Sequence, residues 1–316
     1  PNWTDSSELL GYQDLRGTFR PGPMLRLARA AENDPETQHI CIIDEMNLAR
    51  VEYYLAEVLS RMEDRTRDEH GACTSRPLLN LDLAGKDNRW AEQGLPPNLA
   101  IVGTVNMDET THSFSRKVLD RAFTMEFSDI DLTAWHPIKE MQHSEPIHWP
   151  ASKWSPRAVQ ISELNDLTDE ERSDVDRVVQ TLDELNKFLV QGQLQVGYRT
   201  RDEAALFVLH ARQLAAGFVT RQKESVDPLD LVLHMKVLPR IVGGSNAIRR
   251  LLLQLLGWAE RGSPFQEQED ANSVLDRWTE QECPSMLSDA NYPQTAARLC
   301  LMWDRLRSEG FTSFWL

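Results

Sequence analysis

The sequence predicts an α/β fold: part of a parallel-sheet core flanked by helices, followed by an all-helical C-terminal subdomain. Three observations lead there. The apolar run Ile40–Ile43 in HICIIDEMNLAR goes straight into Asp44-Glu45, and the run LAIVGTV, Leu99–Val105, goes straight into Asn106. Runs of this kind read as strands buried on both faces. From about residue 129 onward strand signals largely stop and apolar residues recur at helical spacing.

Residues 1–38 read as a connecting segment plus one helix. Glycine and proline cluster at Gly11, Gly17, Pro21, Gly22 and Pro23; Met24–Ala31 then has helical spacing, ended by Asn33, Asp34 and Pro35. The Ile40–Ile43 strand follows. Carboxylates at its C-terminal end face the crevice where open α/β sheets bind ligands. Such a pair suits nucleotide hydrolysis, with Asp44 holding Mg²⁺ directly or through water and Glu45 orienting or deprotonating the attacking water. The plainer alternative is a strand ending in a solvated turn. A helix is predicted next, with Val51, Leu55, Val58, Leu59 and Met62 on its core stripe and Arg50, Glu57 and Arg61 opposite.

Residues 64–98 are polar, include Arg76, Lys86, Arg89 and Trp90, and fit an exposed hairpin or loop before the next strand, with a disordered surface loop as the equal alternative. An amide at the tip of the next strand, Asn106, can reach a water between Glu45 and a γ-phosphate. Ser115 has the character of an N-cap for a short helix that turns Val118 and Leu119 inward. Arg121 falls near its end, with Phe123, Met125 and Phe127 alternating as a further strand. An outward-projecting arginine there can reach a neighbouring subunit's nucleotide as an arginine finger; the alternative is a surface salt bridge with Asp120 or Glu126.

Residues 129–157, rich in His, Pro and Trp, read as a linker, and His136, His143 and His148 lack metal-site spacing. Helices are predicted over Val178–Val190, after Tyr198–Asp202, over Leu229–Leu238 up to Pro239, over Ala247–Trp258 and over Thr295–Arg307, with Phe311–Leu316 packing back as a tail. The domain expectation is therefore a core over 1–128, a linker over 129–157 and a helical lid over 158–316.

At 316 residues and 41% hydrophobic the chain can bury a substantial core. No apolar run reaches the roughly 18 residues of a membrane span, and no signal-like start is visible. Cys41, Cys73, Cys283 and Cys300 are scattered without CxxC spacing, which favours free thiols and the cytoplasm. A net charge of −15 and a pI near 5.0 argue against avid nucleic-acid binding by the chain alone.

Taken in order, CIIDEMNLARVEYYLAEVLSRMEDR, NLAIVGTVNMDETTHSFSRKVLDRAF, VGYRTRDEA and NYPQTAARLCLMWDRLRSEGFTSFW resemble AAA+ NTPases of the McrB-like branch, within the wider group of MoxR-type and dynein-related ATPases. The resemblance extends over nearly the whole chain. It implies a partial AAA+ core of the P-loop NTPase type with a helical lid, in which Asp44 and Glu45 are the Walker B pair, Asn106 is sensor 1, Arg121 is the arginine finger, and Arg199 or Arg201 is sensor 2. Those two arginines are two residues apart, so on a helix they point about 200° apart. It further implies Mg²⁺ with ATP or GTP as substrate, a homo-oligomer of hexameric type, an McrC-like nuclease partner, and DNA as the target of the full assembly. A MoxR-like protein-remodelling ATPase and a catalytically silent nucleotide-gated scaffold are the competing expectations.

The motif G-x-x-x-x-G-K-[ST], whose amides and lysine hold phosphates, does not occur in these residues. Gly243-Gly244 has no lysine and falls in a region read as helical. The chain begins at Pro1, and the expectation is a fragment of a longer protein whose N-terminal part carries the phosphate loop, so that the fragment alone binds nucleotide weakly and does not hydrolyse it.

Overall fold

The computed structural model describes residues 3–67, 73–80, 83, 85–107, 111–127, 132, 150, 154–214, 217–220 and 225–315. His136, His143, His148 and most of the 129–157 segment lie outside the described residues. Buried apolar side chains fall into two clusters, one spanning Leu9 to Val118 and the other Val178 to Phe314.

The first part opens with a short helix α1 (Ser7–Leu10), an antiparallel hairpin of β1 (Gly11–Gln13) and β2 (Phe19–Pro21), and helix α2 (Pro23–Asn33). Asp14 makes the hairpin turn, its carboxylate accepting from the amides of Arg16 and Thr18 at 2.9 and 3.0 Å. Gly11 is required where α1 meets the hairpin: its φ is 114°, and an added Cβ would lie 2.2 Å from the Arg20 carbonyl oxygen. Pro23 starts α2, where its missing N–H costs nothing, and the helix buries Met24, Leu25, Ala28 and Ala31.

Strand β3 (His39–Ile43) leads through a tight helical turn at Met46–Leu48 into helices α3 (Val51–Tyr54) and α4 (Ala56–Glu63), which break at Leu55. Val51, Leu55 and Val58 are buried, as the stripe requires. A small hairpin of β4 (Thr66–Arg67) and β5 (Cys73–Thr74) and a helical turn α5 (Asn88–Ala91) follow. The 64–98 region is less exposed than its polarity suggests, because Leu78, Leu83 and Leu95 are buried in the first cluster.

Strand β6 (Leu99–Gly103) pairs parallel with β3, from His39 opposite Leu99 to Ile43 opposite Gly103. The buried Asn98 fixes its start: the side-chain amide lies within 2.9 Å of the carbonyls of Ala31, Asp34 and Thr37. The expectation of strands buried on both faces does not hold. Ile43 and Leu99 pack inward with Cys41 and Ile101, but Ile40, Ile42 and Val102 on the other face are 57, 67 and 39% exposed. The sheet has two strands among the described residues, and on that face Ile40 and Ile42 stand mostly open to solvent.

Helix α6 (Arg116–Leu119) buries Val118 and Leu119. Ser115 stands at its N-cap in extended conformation, but its hydroxyl caps no amide and is buried without a partner among the described residues. The strand expected over Phe123–Phe127 does not form among the described residues. Phe123 packs on the second cluster while Phe127 is 92% exposed, and the Thr124 amide donates to the Met235 carbonyl at 3.0 Å. The segment docks on a helix end, which offers no edge to pair with.

The second part is helical. Helix α7 (Asp169–Leu189) is started by a reciprocal capping box between Thr168 and Glu171. Next come α8 (Tyr198–Gln213) and α9 (Pro228–Val232), the latter continuing as a π-turn over Leu233–Val237 and a tight turn over Leu238–Arg240. Strand β7 (Val242–Gly243) precedes α10 (Asn246–Arg261), α11 (Gln268–Glu280) and α12 (Pro293–Ser308); β8 (Thr312–Ser313) returns antiparallel to β7. Gly243-Gly244 thus sits at a strand, not in a helix. Asp230 of α9 is 1% exposed and accepts the first amides of α12, from Gln294 at 2.8 Å and Thr295 at 3.0 Å. That carboxylate ties two helices together while satisfying donors the helix cannot satisfy itself.

Residues 120–126 connect the two parts. Asp120 accepts from Arg240, the Ala122 carbonyl from Lys236 at 3.4 Å, and Glu126 from Arg298. With the Thr124 amide, every second residue of this segment is bonded to the helical part.

Candidate functional site

Asp44, Glu45 and Asn106 lie at the tips of the adjacent strands β3 and β6, and all three are exposed. Thr104 ties the tips together. Its hydroxyl donates to Asp44 Oδ1 at 2.6 Å and accepts from the Glu45 amide at 2.9 Å. Backbone bonds extend the parallel ladder one step, from Thr104 N to the Ile43 carbonyl and from Met46 N to the Thr104 carbonyl. Glu45 has φ 50° and ψ 47°, the left-handed region. That is costly for a residue with a Cβ, and here the Thr104 bond holds the turn that presents the carboxylate. Thr104 is absent from the predicted site, although a hydroxyl within the apolar run Leu99–Val105, two residues before Asn106, is a usable signal.

The Asn106 backbone is held as well. Its carbonyl accepts from Asn47 Nδ2 at 2.9 Å and from the Thr111 hydroxyl at 3.0 Å. Asn47 is buried, and its own carbonyl accepts from the His112 amide at 2.9 Å. Tyr54 completes the support by donating its hydroxyl to the Met46 carbonyl at 2.7 Å, in a site where burial raises the phenol well above its ordinary range. A cavity of about 320 Å³ opens nearby, lined by Arg50, Glu52 and residues 112–115; the carboxylate pair is outside it.

Arg121 departs from the outward-projecting position expected of it. Its side chain is 10% exposed and turned onto its own chain, Nε donating to the Leu59 carbonyl at 3.0 Å, Nη1 to the Lys117 carbonyl and Nη2 to Glu63. Neither Asp120 nor Glu126 is its partner; both pair with arginines of the helical part. Arg199, in the first turn of α8, also reaches Glu63, at 2.6 Å. Arg201 turns back along its own helix to Asp202 at 2.7 Å and over the Tyr198 ring. Of the two, Arg199 is the one that meets the first part of the chain. The structure thus brings Asp44, Glu45 and Asn106 together at one place, Arg121 and Arg199 at another, and leaves Arg201 apart from both.

Among the residues of 64–98, Arg76 is committed to Asp64 through two bonds of 2.8 and 2.9 Å, which, with Arg61, hold that carboxyl down at about 2. Arg89 stacks over Trp90. No group of three or more His, Cys, Asp or Glu side chains able to enclose a metal occurs among the described residues. Asp44 as a lone carboxylate fits Mg²⁺ all the same, since that ion usually takes one or two carboxylates and completes its shell with water and substrate phosphates. All four cysteines are free thiols.

A family model described as a domain of unknown function, DUF8727, matches residues 152–311, just over half of the chain. The chain belongs to this DUF8727 family. The matched region runs from before α7 through α12, so the family is defined by the helical part. Separately, the chain is 27% identical to the "Type IV methyl-directed restriction enzyme EcoKMcrB subunit" of Escherichia coli (strain K12), over 42% of the chain and 28% of that relative. The chain therefore spans well under a third of the relative's length, and the match supports a distant McrB relationship for part of the chain, not for nearly all of it. No solved structure matches. No helix among the described residues is long and apolar enough to cross a membrane.

Proposed function

We propose that this DUF8727 chain is part of the NTP-hydrolysing motor subunit of an McrB-like restriction system. The reading is supported by the placement of Asp44 and Glu45 directly after β3 and of Asn106 three residues after its parallel partner β6, in a chain related over part of its length to a restriction-enzyme subunit. In this reading Glu45 orients or deprotonates the attacking water, the Asn106 amide positions that water, and Thr104 holds the Asp44 carboxylate and the Glu45 backbone. Asp44 would hold Mg²⁺, which neutralises phosphate charge when bound. ATP or GTP is the substrate.

The assembly we propose is a ring, hexameric by resemblance, in the cytoplasm, acting on DNA with an McrC-like nuclease. Arg121 and Arg199 are its phosphate-sensing arginines, and Arg201 is set aside because it is spent on Asp202 and Tyr198. The uncovered sheet face of Ile40, Ile42 and Val102 is, in the same reading, the surface on which the remainder of a nucleotide-binding core packs.

The test is ATP and GTP turnover by the whole protein, carrying a phosphate loop, against its Glu45→Gln variant. Turnover is expected to fall by at least about a hundredfold while nucleotide binding persists. Equal turnover in the two proteins removes Glu45 from the reaction and with it the reading.

A further inference from the structure

Asn47 stands two residues after Glu45, in the tight turn at Met46–Leu48, and is 1% exposed. Its side chain and its backbone hold one loop at two places. Nδ2 donates to the Asn106 carbonyl at 2.9 Å and lies 3.5 Å from Met107 Sδ, while the Asn47 carbonyl accepts from the His112 amide at 2.9 Å. The Thr111 hydroxyl also donates to the Asn106 carbonyl, so that oxygen has two donors. With the backbone pinned there, two side-chain torsions alone place the Asn106 amide.

The other half of the Asn47 amide is the informative one. Oδ1 is buried and has no donor among the described residues. Turning the group round would not relieve this, because Oδ1 would then face the Asn106 carbonyl oxygen. A buried acceptor left unpaired costs stability, and a leucine of similar shape would carry no such cost. Packing alone therefore gives no reason for an amide at this position. Its side-chain bonds all go to Asn106 and Met107.

We propose that Asn47 is a positioning residue for the reaction: it sets where the Asn106 amide stands relative to Glu45, without itself touching nucleotide or water. Thr104, on the β6 side, holds the Glu45 backbone. Asn47, on the β3 side, holds the Asn106 backbone. The two contacts run in opposite directions between the same pair of strand ends and keep the carboxylate and the amide in register. Loss of the Asn47 donor loosens the Asn106 backbone and leaves the fold intact. This rests on the hydrolysis reading, within which it gives Asn106 its place.

The experiment is ATP and GTP turnover by the whole protein with Asn47→Leu, with Asn106→Ala and with both, alongside nucleotide affinity and urea unfolding midpoints. Asn47→Leu is expected to keep the unfolding midpoint and the nucleotide affinity, yet to lower kcat on the order of tenfold. Asn47→Ala, which also lacks the donor, is expected to share that fall in kcat. In the Asn106→Ala background Asn47→Leu is expected to cost nothing more, because the group it positions is gone. Unchanged turnover in both Asn47 variants, or a loss that persists in full without the Asn106 amide, overturns the proposal and leaves the hydrolysis reading standing. A parallel fall in midpoint, affinity and turnover in both variants marks a purely structural role and also overturns it. If Asn106→Ala alone leaves turnover unchanged, the role given to Asn106 fails and the proposal fails with it.

Discussion

His234 gives the chain a defined acid sensitivity. It lies in the π-turn between the buried Leu233 and Met235, with its ring edge-on to Phe314 at 5.2 Å, and burial alone lowers its pKa from 6.5 to about 4. A base whose folded value is depressed binds fewer protons folded than unfolded in the window between the two values. Its contribution is complete above 6.5 and is lost as pH falls toward 4. With those values, moving from about pH 7.5 to about pH 5 removes about 2 kcal/mol of stability through this side chain. The assay is urea unfolding at both pH values for the wild-type chain and for His234→Gln, which is polar but does not titrate. Taking the difference between the two proteins cancels the carboxylates, which shift stability in both alike. The variant is expected to lose about 2 kcal/mol less than wild type on acidification. An equal loss in both refutes the reasoning, because His234 would then be hydrated or already protonated in the folded chain.

Three further outcomes are expected. Thr104→Val removes the hydroxyl that bonds Asp44 and the Glu45 amide and should cost about 1–2 kcal/mol in urea unfolding, whereas Thr104→Ser should cost much less; indistinguishable variants argue against the bridge. Asp230→Ala strips the start of α12 of its buried acceptor and should destabilise by about 3 kcal/mol, read as a lowered unfolding midpoint. Ile42→Lys should change the stability of this chain by no more than about 0.5 kcal/mol, since the side chain already faces solvent; the same substitution in the whole protein should abolish nucleotide binding if that face is packed there.

The parts of the molecule that could be read from sequence are those set by local pattern. Two apolar runs with polar tips were enough to place β3, β6 and the grouping of Asp44, Glu45 and Asn106. Period and breakers located α2, α10 and α12 to within a few residues, whereas α7 starts nine residues before the predicted Val178 and α8 already starts at Tyr198, because charged first turns carry no apolar period. Misses came where the deciding partner is distant. Phe123–Phe127 alternates like a strand, yet its neighbour is the π-turn, so the alternation reports packing on a helix end. Arg121 is drawn inward by Glu63, 58 residues away, which no local rule reveals. The hairpin at Gly11–Pro21 was hidden because its strands are three residues each, and α11 was passed over although Ala271, Val274, Leu275 and Trp278 share its buried face. Burial of the sheet on one side only cannot be read from an apolar run at all, because the run looks the same whether or not something covers it.

The alternation along residues 120–126 has a mechanical meaning. Positions 120, 122, 124 and 126 are fastened to the helical part, and the intervening Arg121 is fastened to α4. A stretch of backbone gripped from opposite sides at successive residues behaves like a tie rod: it has almost no slack along its length. A tilt of the helices is therefore passed along residues 120–126 to the bonds that Arg121 makes with α4.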